Sequence, residues 1–403
     1  MHSTVKTKKK ALSFFAVVTL FSMTCSFAHP VTPSLFKQLQ LADYMFGVAL
    51  ACMSFGNLLF SPFWGRMSSR ISSRSTMLIC CLGYAVGQLL FAMSQTVAQV
   101  IVIRLFTGVF VGGIFVGMLT YIVNTAPDEK TRARYLVYQA TLEAVFNAAG
   151  YFVGGMLGEI SVQTAVITQA CSLGLCAVLF RIVCADDSRR IELPRGKELL
   201  REVNPLRAFI QGKPLLMCSM GLLLVVCSLQ YFSQTCFDQS FNYYVIDQIQ
   251  LSTGYNGAIK GSMGLVTLAA NSTLCVWLMK KTDTTKSVAI VLAICGVTMS
   301  VALSITDLVP FLILNIIFFA LSAISVPMLQ NLVASAGKER KLDGSMVMSF
   351  YNALKNLGGI LGALLAGFTY MVTPKTPFIC CIAGLLIASF IAVGYRRKTM
   401  HTA

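Results

Sequence analysis

Charge, histidine and tryptophan are scarce in this sequence. Only 12% of its 403 residues are charged, and it contains three histidines and two tryptophans. Soluble domains carry about 25% charged and about 45–50% hydrophobic residues, whereas the hydrophobic fraction here is 56%. This imbalance excludes a soluble enzyme. The charge that is present is unequal, with 32 Lys and Arg against 16 Asp and Glu, which gives a formal net charge of +16.

Patterns for metal, disulfides and nucleotide binding are also missing. The 14 cysteines lie in apolar runs, with adjacent pairs at 80–81 and 380–381, and no Cys-x-x-Cys motif occurs. A zinc or disulfide framework needs ligands at usable spacing, so we interpret the cysteines as small buried apolar residues. The phosphate loop G-x-x-x-x-G-K-[ST] is absent too, which argues against ATP-driven work by this chain. We therefore predict no metal and no cofactor.

Long apolar stretches are abundant instead. A helix that crosses a hydrocarbon core of about 30 Å needs roughly 20 apolar residues, because each residue adds about 1.5 Å. Twelve stretches meet this requirement, at residues 11–30, 43–64, 75–95, 97–123, 133–158, 161–183, 213–236, 254–279, 287–306, 309–334, 344–371 and 376–395. The sequence therefore predicts an all-α integral membrane protein with twelve transmembrane helices.

The first stretch resembles a secretory signal. The basic residues Lys6 to Lys10 precede it, and Ser26-Phe27-Ala28 closes it with a small-x-small pattern. Its apolar run, however, exceeds the usual length of about 7–15 residues, and eleven more stretches follow. We therefore expect an uncleaved first helix.

The positions of the basic residues predict the orientation in the membrane. If the N-terminus is cytoplasmic, 27 of the 32 basic residues fall on that side, in seven short segments, and only Lys37 and Lys375 fall on the other. Such a bias is typical of cytoplasmic loops, so both termini are predicted to be cytoplasmic. The same distribution excludes a basic protein that binds nucleic acid. Arg104, Lys260 and Lys355 remain inside the spans.

A single polar interval divides the chain. Residues 184–212 follow the sixth stretch, mix both charge signs and contain Pro194 and Pro205. We interpret this interval as a cytoplasmic linker between an N-terminal half at 1–183 and a C-terminal half at 213–403. Each half would then contain six helices.

Internal similarity supports this division. Gly-Gly-Met-Leu-Gly at 154–158 recurs as Gly-Gly-Ile-Leu-Gly at 358–362, which is 204 residues later. The two tryptophans, Trp64 and Trp277, close the second and eighth stretches, 213 residues apart. Two halves of parallel topology are typical of transporters. We expect the glycine clusters to let helix backbones approach closely.

Four short motifs point to one family. The first stretch ends with a proline pair in His29-Pro30-Val31-Thr32-Pro33, and the fourth contains Arg104 and Gly108 in an R-x-x-x-G pattern. The fifth contains Gly150-Tyr151-Phe152-Val153-Gly154-Gly155, which is close to G-P-x-x-G-G with tyrosine in place of proline. Together with the loop at 65–74, these motifs resemble the major facilitator superfamily, and within it the twelve-helix drug:proton antiporter group.

The loop after the second stretch carries the most specific part of the resemblance. It reads Gly-Arg-Met-Ser-Ser-Arg-Ile-Ser-Ser-Arg, close to G-x-L-S-D-R-x-G-R-R. Ser69 replaces the aspartate of this motif, and Ser72 replaces its glycine. In the family that aspartate helps to latch the halves on the cytoplasmic side, so the latch here is lost or differently made. The resemblance implies that the retained residues Gly65, Arg70 and Arg74 serve a gate.

Ionisable side chains within spans are costly and therefore indicate function. Glu143 lies near the middle of the fifth stretch, and Gln139, Glu143 and Asn147 at i, i+4 and i+8 share one helix face. A carboxyl group in a half-dry cavity is suited to carry a proton, so Glu143 is the candidate for proton coupling. Alternatively, a fixed partner such as Arg104 neutralises it. Arg104 itself serves either substrate or proton relay, or bonds between helices.

The second half contains a similar set of polar residues. We expect the substrate site to include Arg104, Gln139 and Asn147 with Gln230, Gln234, Lys260, Asn271, Asn352, Lys355 and Asn356. Asp238 either contributes to proton coupling or lies at a solvated helix end. Lys260, near the same outer mouth, could pair with Asp238 or extend its ammonium to solvent. Lys355 lies near the middle of its span, where a lysine can scarcely remain unpaired.

Two functions are consistent with these features. The first is a monomeric, proton-coupled transporter in the bacterial cytoplasmic membrane that exports small amphipathic or drug-like compounds by alternating access. The second is a proton symporter or facilitator that imports an anionic metabolite or other small solute, with Arg104, Lys260 and Lys355 as its clamp. A receptor or scaffold would not explain polar stripes in both halves. The predicted partners are a small-molecule substrate, protons and the lipid bilayer, and no enzymatic activity is expected.

Overall fold

A computed structural model describes residues 2–187, 219–340 and 344–400, together with residues 204, 206, 210, 213, 215 and 216. Most of the predicted linker at 184–212 lies outside the described residues. The secondary structure within these ranges is helical, and they contain no β-strand.

Within each continuously described range, the helices follow one another with short connections. In chain order, the described ranges contain α1 (His2–Cys25), α2 (Thr32–Gln38), α3 (Met45–Ile71), α4 (Ser73–Ala92), α5 (Val97–Thr125), α6 (Glu129–Ile160), α7 (Val162–Val183), α8 (Ser219–Asp247), α9 (Thr253–Ala270), α10 (Val276–Lys281), α11 (Thr284–Ser304), α12 (Leu308–Glu339), α13 (Gly344–Tyr370) and α14 (Thr376–Met400). A π-helical turn, Asn271–Cys275, joins α9 to α10.

The predicted stretches coincide with these helices. Eleven of them match a single long helix, and the eighth matches α9, the π-helical turn and α10 taken together. Among the described residues, nine helices are long and apolar enough to cross a membrane. The all-α integral membrane class is therefore confirmed, whereas the count of twelve spans and the cytoplasmic side of the termini stay predictions. The seventh stretch was predicted to end at residue 236, but α8 continues to Asp247.

Polar side chains at helix N-termini account for several of these boundaries. Thr96 and Gln99 form a reciprocal capping box at the start of α5. The side chains of Asp128, Ser161 and Asp283 each accept a hydrogen bond from a backbone N–H in the first turn of the following helix. These bonds satisfy donors that would have no partner within the helix. They fix where α6, α7 and α11 begin.

The chain forms two compact units. Unit 1 comprises Met1–Leu41, Cys52–Pro205 and Leu251–Gly261, and unit 2 comprises Ala42–Ala51, Leu206–Gln250 and Ser262–Ala403. The helices α3 and α9 are therefore each divided between the two units. In both cases the first residues of the helix belong to one unit and the remainder to the other.

The core of unit 1 is built where α4 packs against α5 and α7. Phe14 of α1 lies 4.8 Å from Tyr121 of α5, measured between ring centres. Cys80, Cys81 and Cys176 are fully buried in the same core. The prediction that the cysteines are small buried apolar residues is confirmed for these three and for most of the other described cysteines, but it is wrong for Cys171, which is exposed, and Cys25, Cys52 and Cys380 are only partly buried. The described cysteines are free thiols.

Close backbone contacts occur at the repeated glycine clusters. A Cβ atom at Gly154 would lie 2.2 Å from the carbonyl oxygen of Phe27, so α6 passes directly against the end of α1. In unit 2, a Cβ atom at Gly358 would lie 2.3 Å from the carbonyl oxygen of Ser228, where α13 crosses α8. Neither distance leaves room for any side chain. The prediction that these clusters serve tight helix packing is confirmed.

Candidate functional site

Arg104 is a buried cation in unit 1. It lies on α5, only 7% of its surface is exposed, and its guanidinium carbon is 3.6 Å from the centre of the Phe91 ring. Its Nη1 atom approaches the sulfur of Met53 at 3.8 Å. Within the described part of the chain it makes no ion pair. The aromatic face stabilises the cation electrostatically, but none of the described carboxylates pairs with it.

A network of neutral polar groups lies beside Arg104. The Tyr84 hydroxyl is close to the Arg104 charge and interacts with the side chains of Gln88 and Gln169. Gln169 Nε2 donates to the backbone carbonyls of Thr24 and Cys25, at 3.0 and 2.8 Å. The carbonyl oxygens of both glutamine side chains are buried and accept no hydrogen bond from the described residues.

These three network residues were missed at the sequence level. Gln88 and Gln169 are single amides in otherwise apolar stretches, and each would have been found by listing every amide within a span. Tyr84 carries no such signal, because a tyrosine in an apolar helix is common. Their proximity to Arg104 depends on how α4, α5 and α7 pack.

Glu143 has a neutral partner. Gln139 Nε2 donates to Glu143 Oε1 at 2.8 Å, one turn away on α6. Glu143 is partly buried, and it forms no ion pair with Arg104 among the residues that the structure describes. Asn147, the third member of the predicted stripe, accepts a 3.2 Å hydrogen bond from the Ser26 hydroxyl, just after α1. The stripe therefore faces the end of α1, and its carboxyl group is held by an amide.

Unit 2 contains a second cation that pairs with no carboxylate among the described residues. Lys355 Nζ lies 4.8 Å from the centre of the Tyr231 ring, and the Cys227 thiol is nearby. No ion pair of Lys355 occurs within the described ranges. Of the other predicted site residues on α13, Asn356 is partly buried and Asn352 is exposed. Lys355 is thus stabilised by an aromatic ring.

The amides of α8 form their own row. Gln230 Nε2 donates to Gln234 Oε1 at 3.0 Å and to the backbone carbonyl of Ser322 at 3.3 Å. Asp238 continues the row, is partly buried and lies near Tyr231. Because Gln230, Gln234 and Asp238 are spaced four residues apart, their side chains lie along one side of α8.

Asn271 opens the π-helical turn that follows α9. Its Oδ1 atom and the Thr267 hydroxyl, one turn earlier, are buried and accept no hydrogen bond from the described chain. A π-helical turn within an α-helix is frequent at functional sites. Both side chains belong to unit 2, whereas Lys260, nearer the start of α9, is buried in unit 1. Its ammonium therefore does not extend to solvent.

The predicted gate residues lie at the α3–α4 connection. Gly65 has open space around its Cα atom, because a Cβ atom there would have Val116 Cγ1 as its nearest neighbour, 3.9 Å away. Arg70 is exposed. Arg74 Nη2 pairs with Asp186 Oδ2 at 2.5 Å. Asp186 follows α7, and its part in this connection was not predicted.

Unit 1 also contains an aromatic cavity that sequence reasoning missed. Its volume is about 260 Å³, and it is lined by Phe14, Phe15, Tyr121 and Tyr135 together with Ala11, Ile122, Thr125 and Ala185. A groove of about 440 Å³ beside it shares Phe15 and Tyr135 and adds Arg134. These aromatic residues are scattered through three stretches, so only the packing brings them together.

Long apolar helices that carry buried polar and charged side chains define a multi-pass membrane transport protein. Residues 14–363 match the family model of the Major Facilitator Superfamily, and the chain belongs to that family. It is a transporter of small molecules in a bacterial cell membrane, not an enzyme.

Individual relatives agree with this assignment. The chain is 23% identical over 374 residues to "Multidrug resistance protein 1" of Bacillus subtilis, covering 91% of both chains. It is 22% identical over 408 residues to "Tetracycline resistance protein, class H" of Pasteurella multocida, covering 98% of both. Among solved structures, a bacterial homolog of the human lysosomal transporter Spinster shares the fold, with a TM-score of 0.75, 11% identity and 98% coverage of both chains.

Proposed function

We propose that this chain is a proton-coupled exporter of small amphipathic or drug-like compounds. It acts as a monomer, and two six-helix halves, 1–183 and 213–403, alternate access around the linker at 184–212. Similarity to proteins named for multidrug and tetracycline resistance supports the substrate class and the direction. The observation that carries the proposal is the neutral environment of Glu143.

A carboxyl group with an amide partner can be either charged or neutral. The Gln139 amide donates to the Glu143 carboxylate, and after rotation its carbonyl oxygen can accept from the protonated carboxylic acid. An ion pair with Arg104 would instead hold the carboxylate permanently charged. Because Glu143 lacks that pair, it can release and take up a proton at each turnover. Asp238, partly buried on α8, is the second proton-coupling candidate.

The substrate site in this proposal consists of the remaining polar groups within the spans. These are Arg104, Gln139 and Asn147 in one half and Gln230, Gln234, Lys260, Asn271, Asn352, Lys355 and Asn356 in the other. Buried acceptors without a partner, such as Asn271 Oδ1, gain a hydrogen bond when a substrate donates to them. Gly65, Arg70 and Arg74 act in the gate.

Dye flux in proteoliposomes with an imposed pH gradient tests this function. The native chain should accumulate or expel a fluorescent drug in response to the gradient, and Glu143→Gln should abolish the gradient-driven part. Glu129→Gln is the matched control, because Glu129 starts the same helix and pairs with Arg132 on its exposed surface. A gradient that drives nothing, or a Glu143→Gln chain that equals the native one, contradicts proton coupling through Glu143.

A second function is favoured by one observation. Arg104 and Lys355 are both buried or partly buried cations without a carboxylate partner in the described chain. With Lys260 they would bind an anionic metabolite that is imported with protons. Uptake of a radiolabelled organic anion that disappears in Lys355→Ala, without any drug flux in the native chain, would establish this function instead of export.

A further inference from the structure

The connection between α3 and α4 contains a strained residue. Ser72 has φ = 83° and ψ = 149°, a region that is essentially restricted to glycine. Its side chain accepts a hydrogen bond from the Ser75 backbone N–H at 3.4 Å. A bond of this length offsets little of the backbone strain at Ser72. Such a conformation persists only when surrounding contacts hold it.

The residue after Ser72 is bonded to a distant part of the sequence. Asp187 Oδ1 accepts from the Ser73 backbone N–H at 2.7 Å, and Oδ2 accepts from the Ser73 hydroxyl at 2.6 Å. The same Oδ2 accepts from Asn124 Nδ2 at 2.9 Å. One carboxylate thus binds the first residue of α4 and the last turn of α5. Ser73, which directly follows the strained residue, is fully buried.

The segment that carries Asp187 is itself fixed. The Ala185 backbone N–H donates to the Tyr121 hydroxyl at 3.2 Å, and Cys184 is 2% exposed. Burial and the negative charge of Asp187 raise the pKa of the Cys184 thiol to about 12. Packing at the ends of α5 and α7 therefore positions the Asp187 carboxylate independently of its bonds to the α3–α4 loop.

We propose that Asp187 is the positioning residue of the α3–α4 loop. Its carboxylate holds Ser72 in the strained conformation and so sets where Arg70 and Arg74 lie. It supplies from the end of α7 a negative charge that the loop itself lacks, since Ser69 stands where the related motif has aspartate. The consequence for transport rests on the proposed function, in which this loop serves the gate. The claim that Asp187 holds the loop conformation is independent of the proposed function.

Hydrogen exchange in the full-length protein tests the structural part. The readout is deuterium uptake of the peptide covering residues 68–80. Asp187→Asn replaces the carboxylate by an amide, which presents to the Ser73 N–H either an NH2 group that cannot accept or a carbonyl oxygen that accepts more weakly. Deuterium uptake of the peptide should therefore become about tenfold faster. Asp186→Asn is the matched control, since Asp186 is the neighbouring residue, is half exposed and pairs with the end of Arg74. Deuterium uptake of the same peptide in Asp186→Asn should stay within about twofold of the native rate.

A second substitution distinguishes backbone strain at Ser72 from non-specific destabilisation of the fold. Ser72→Gly relieves the strain, because glycine adopts this conformation freely, and the double variant Asp187→Asn with Ser72→Gly should recover slow exchange. If Asp187→Asn does not fold, Asn124→Ala, which removes one of the three bonds, should give a smaller increase that Ser72→Gly also reverses. Unchanged uptake in Asp187→Asn, or an increase that Ser72→Gly does not reverse, overturns the proposal.

Transport provides an independent readout. Asp187→Asn should lower the maximal rate of drug flux by about tenfold and leave KM within about twofold, because the substrate site is not altered. Ser72→Gly in the same chain should restore most of the rate. A change confined to KM would contradict a positioning role. If the native chain shows no drug flux, the export function fails, while the exchange experiment still decides the role of Asp187.

Discussion

The Tyr243 hydroxyl donates a 2.5 Å hydrogen bond to the carboxylate of Asp43, within unit 2. A second pair lies beside it, in which Tyr370 donates to Asp247 at 2.8 Å. The Phe46 ring stacks on Tyr243, with 4.7 Å between ring centres. These contacts attach the beginning of α3 to α8 and α13, although the rest of α3 belongs to unit 1.

The first prediction concerns this phenol–carboxylate pair. Tyr243→Phe removes the hydrogen bond and keeps the ring, so we expect the free energy of unfolding to fall by about 1–3 kcal/mol, as for bonds to charged groups. Tyr255→Phe is the control, because Tyr255 is 65% exposed and should change stability by less than about 0.5 kcal/mol. Denaturant unfolding in detergent measures both. Equal stability of the two variants would show that the Asp43 bond contributes nothing.

The second prediction concerns the glycine contact between α8 and α13. Gly358→Ala places a methyl group against the Ser228 carbonyl oxygen, so the helices must separate at a cost of about 1–3 kcal/mol. Gly394→Ala is the control, because nothing lies within 4 Å of its Cβ position. The free energy of unfolding of Gly394→Ala should be unchanged or higher by up to about 1 kcal/mol, because alanine has the greater helix propensity. Similar unfolding midpoints for the two would contradict the close approach.

The third prediction concerns pH. Hydrogen bonds from the Ser252 side chain, the Gly254 backbone N–H and the Thr253 side chain lower the pKa of Glu159, at the end of α6. Because the pKa is lower in the folded state, the contribution of Glu159 to stability is complete above its unfolded pKa of about 4.3. It is lost as the pH falls through the folded pKa. Glu159→Gln should therefore be less stable than the native chain at pH 7, and the difference should shrink at pH 3.5. A difference independent of pH would refute this account.

The fourth prediction concerns Arg104. Arg104→Lys keeps the charge but loses the flat guanidinium that lies over Phe91, and an ammonium interacts less well with such a face. We expect reduced drug flux with the fold retained. Arg66→Lys is the control, because Arg66 is exposed at the end of α3. Flux relative to protein amount and circular dichroism measure both effects. Full activity of Arg104→Lys would show that charge alone matters.

The helices were predictable because their causes are local. An apolar stretch of sufficient length specifies a span by itself, and Thr96 or Asp128 marks where the next helix begins. The glycine contacts at Gly154 and Gly358 were predictable for a similar reason, since a repeated cluster indicates close packing. The two tryptophans were less informative, because Trp64 is buried and donates to the Val109 carbonyl, whereas Trp277 is 55% exposed.

The contacts of the candidate site were less predictable. The sequence singled out Arg104 and Glu143, but not that Phe91 lies under one and Gln139 binds the other, because these contacts depend on helix rotation. The contacts of Asp187 with Ser73 and Asn124 could not be predicted from the sequence, because they too depend on how the helices pack. It lies more than one hundred residues after Ser73, in a polar interval whose composition indicates only a linker.

The central claim, proton exchange at Glu143, is tested most directly by substrate-driven proton movement. Proteoliposomes are loaded with a pH-sensitive dye, no pH gradient is imposed, and drug is added outside. Export by antiport predicts that drug entry drives protons out, so the interior becomes alkaline, and that Glu143→Gln abolishes this change while Glu129→Gln retains it. An acidified interior would indicate symport, and an alkaline shift that persists in Glu143→Gln would contradict the claim.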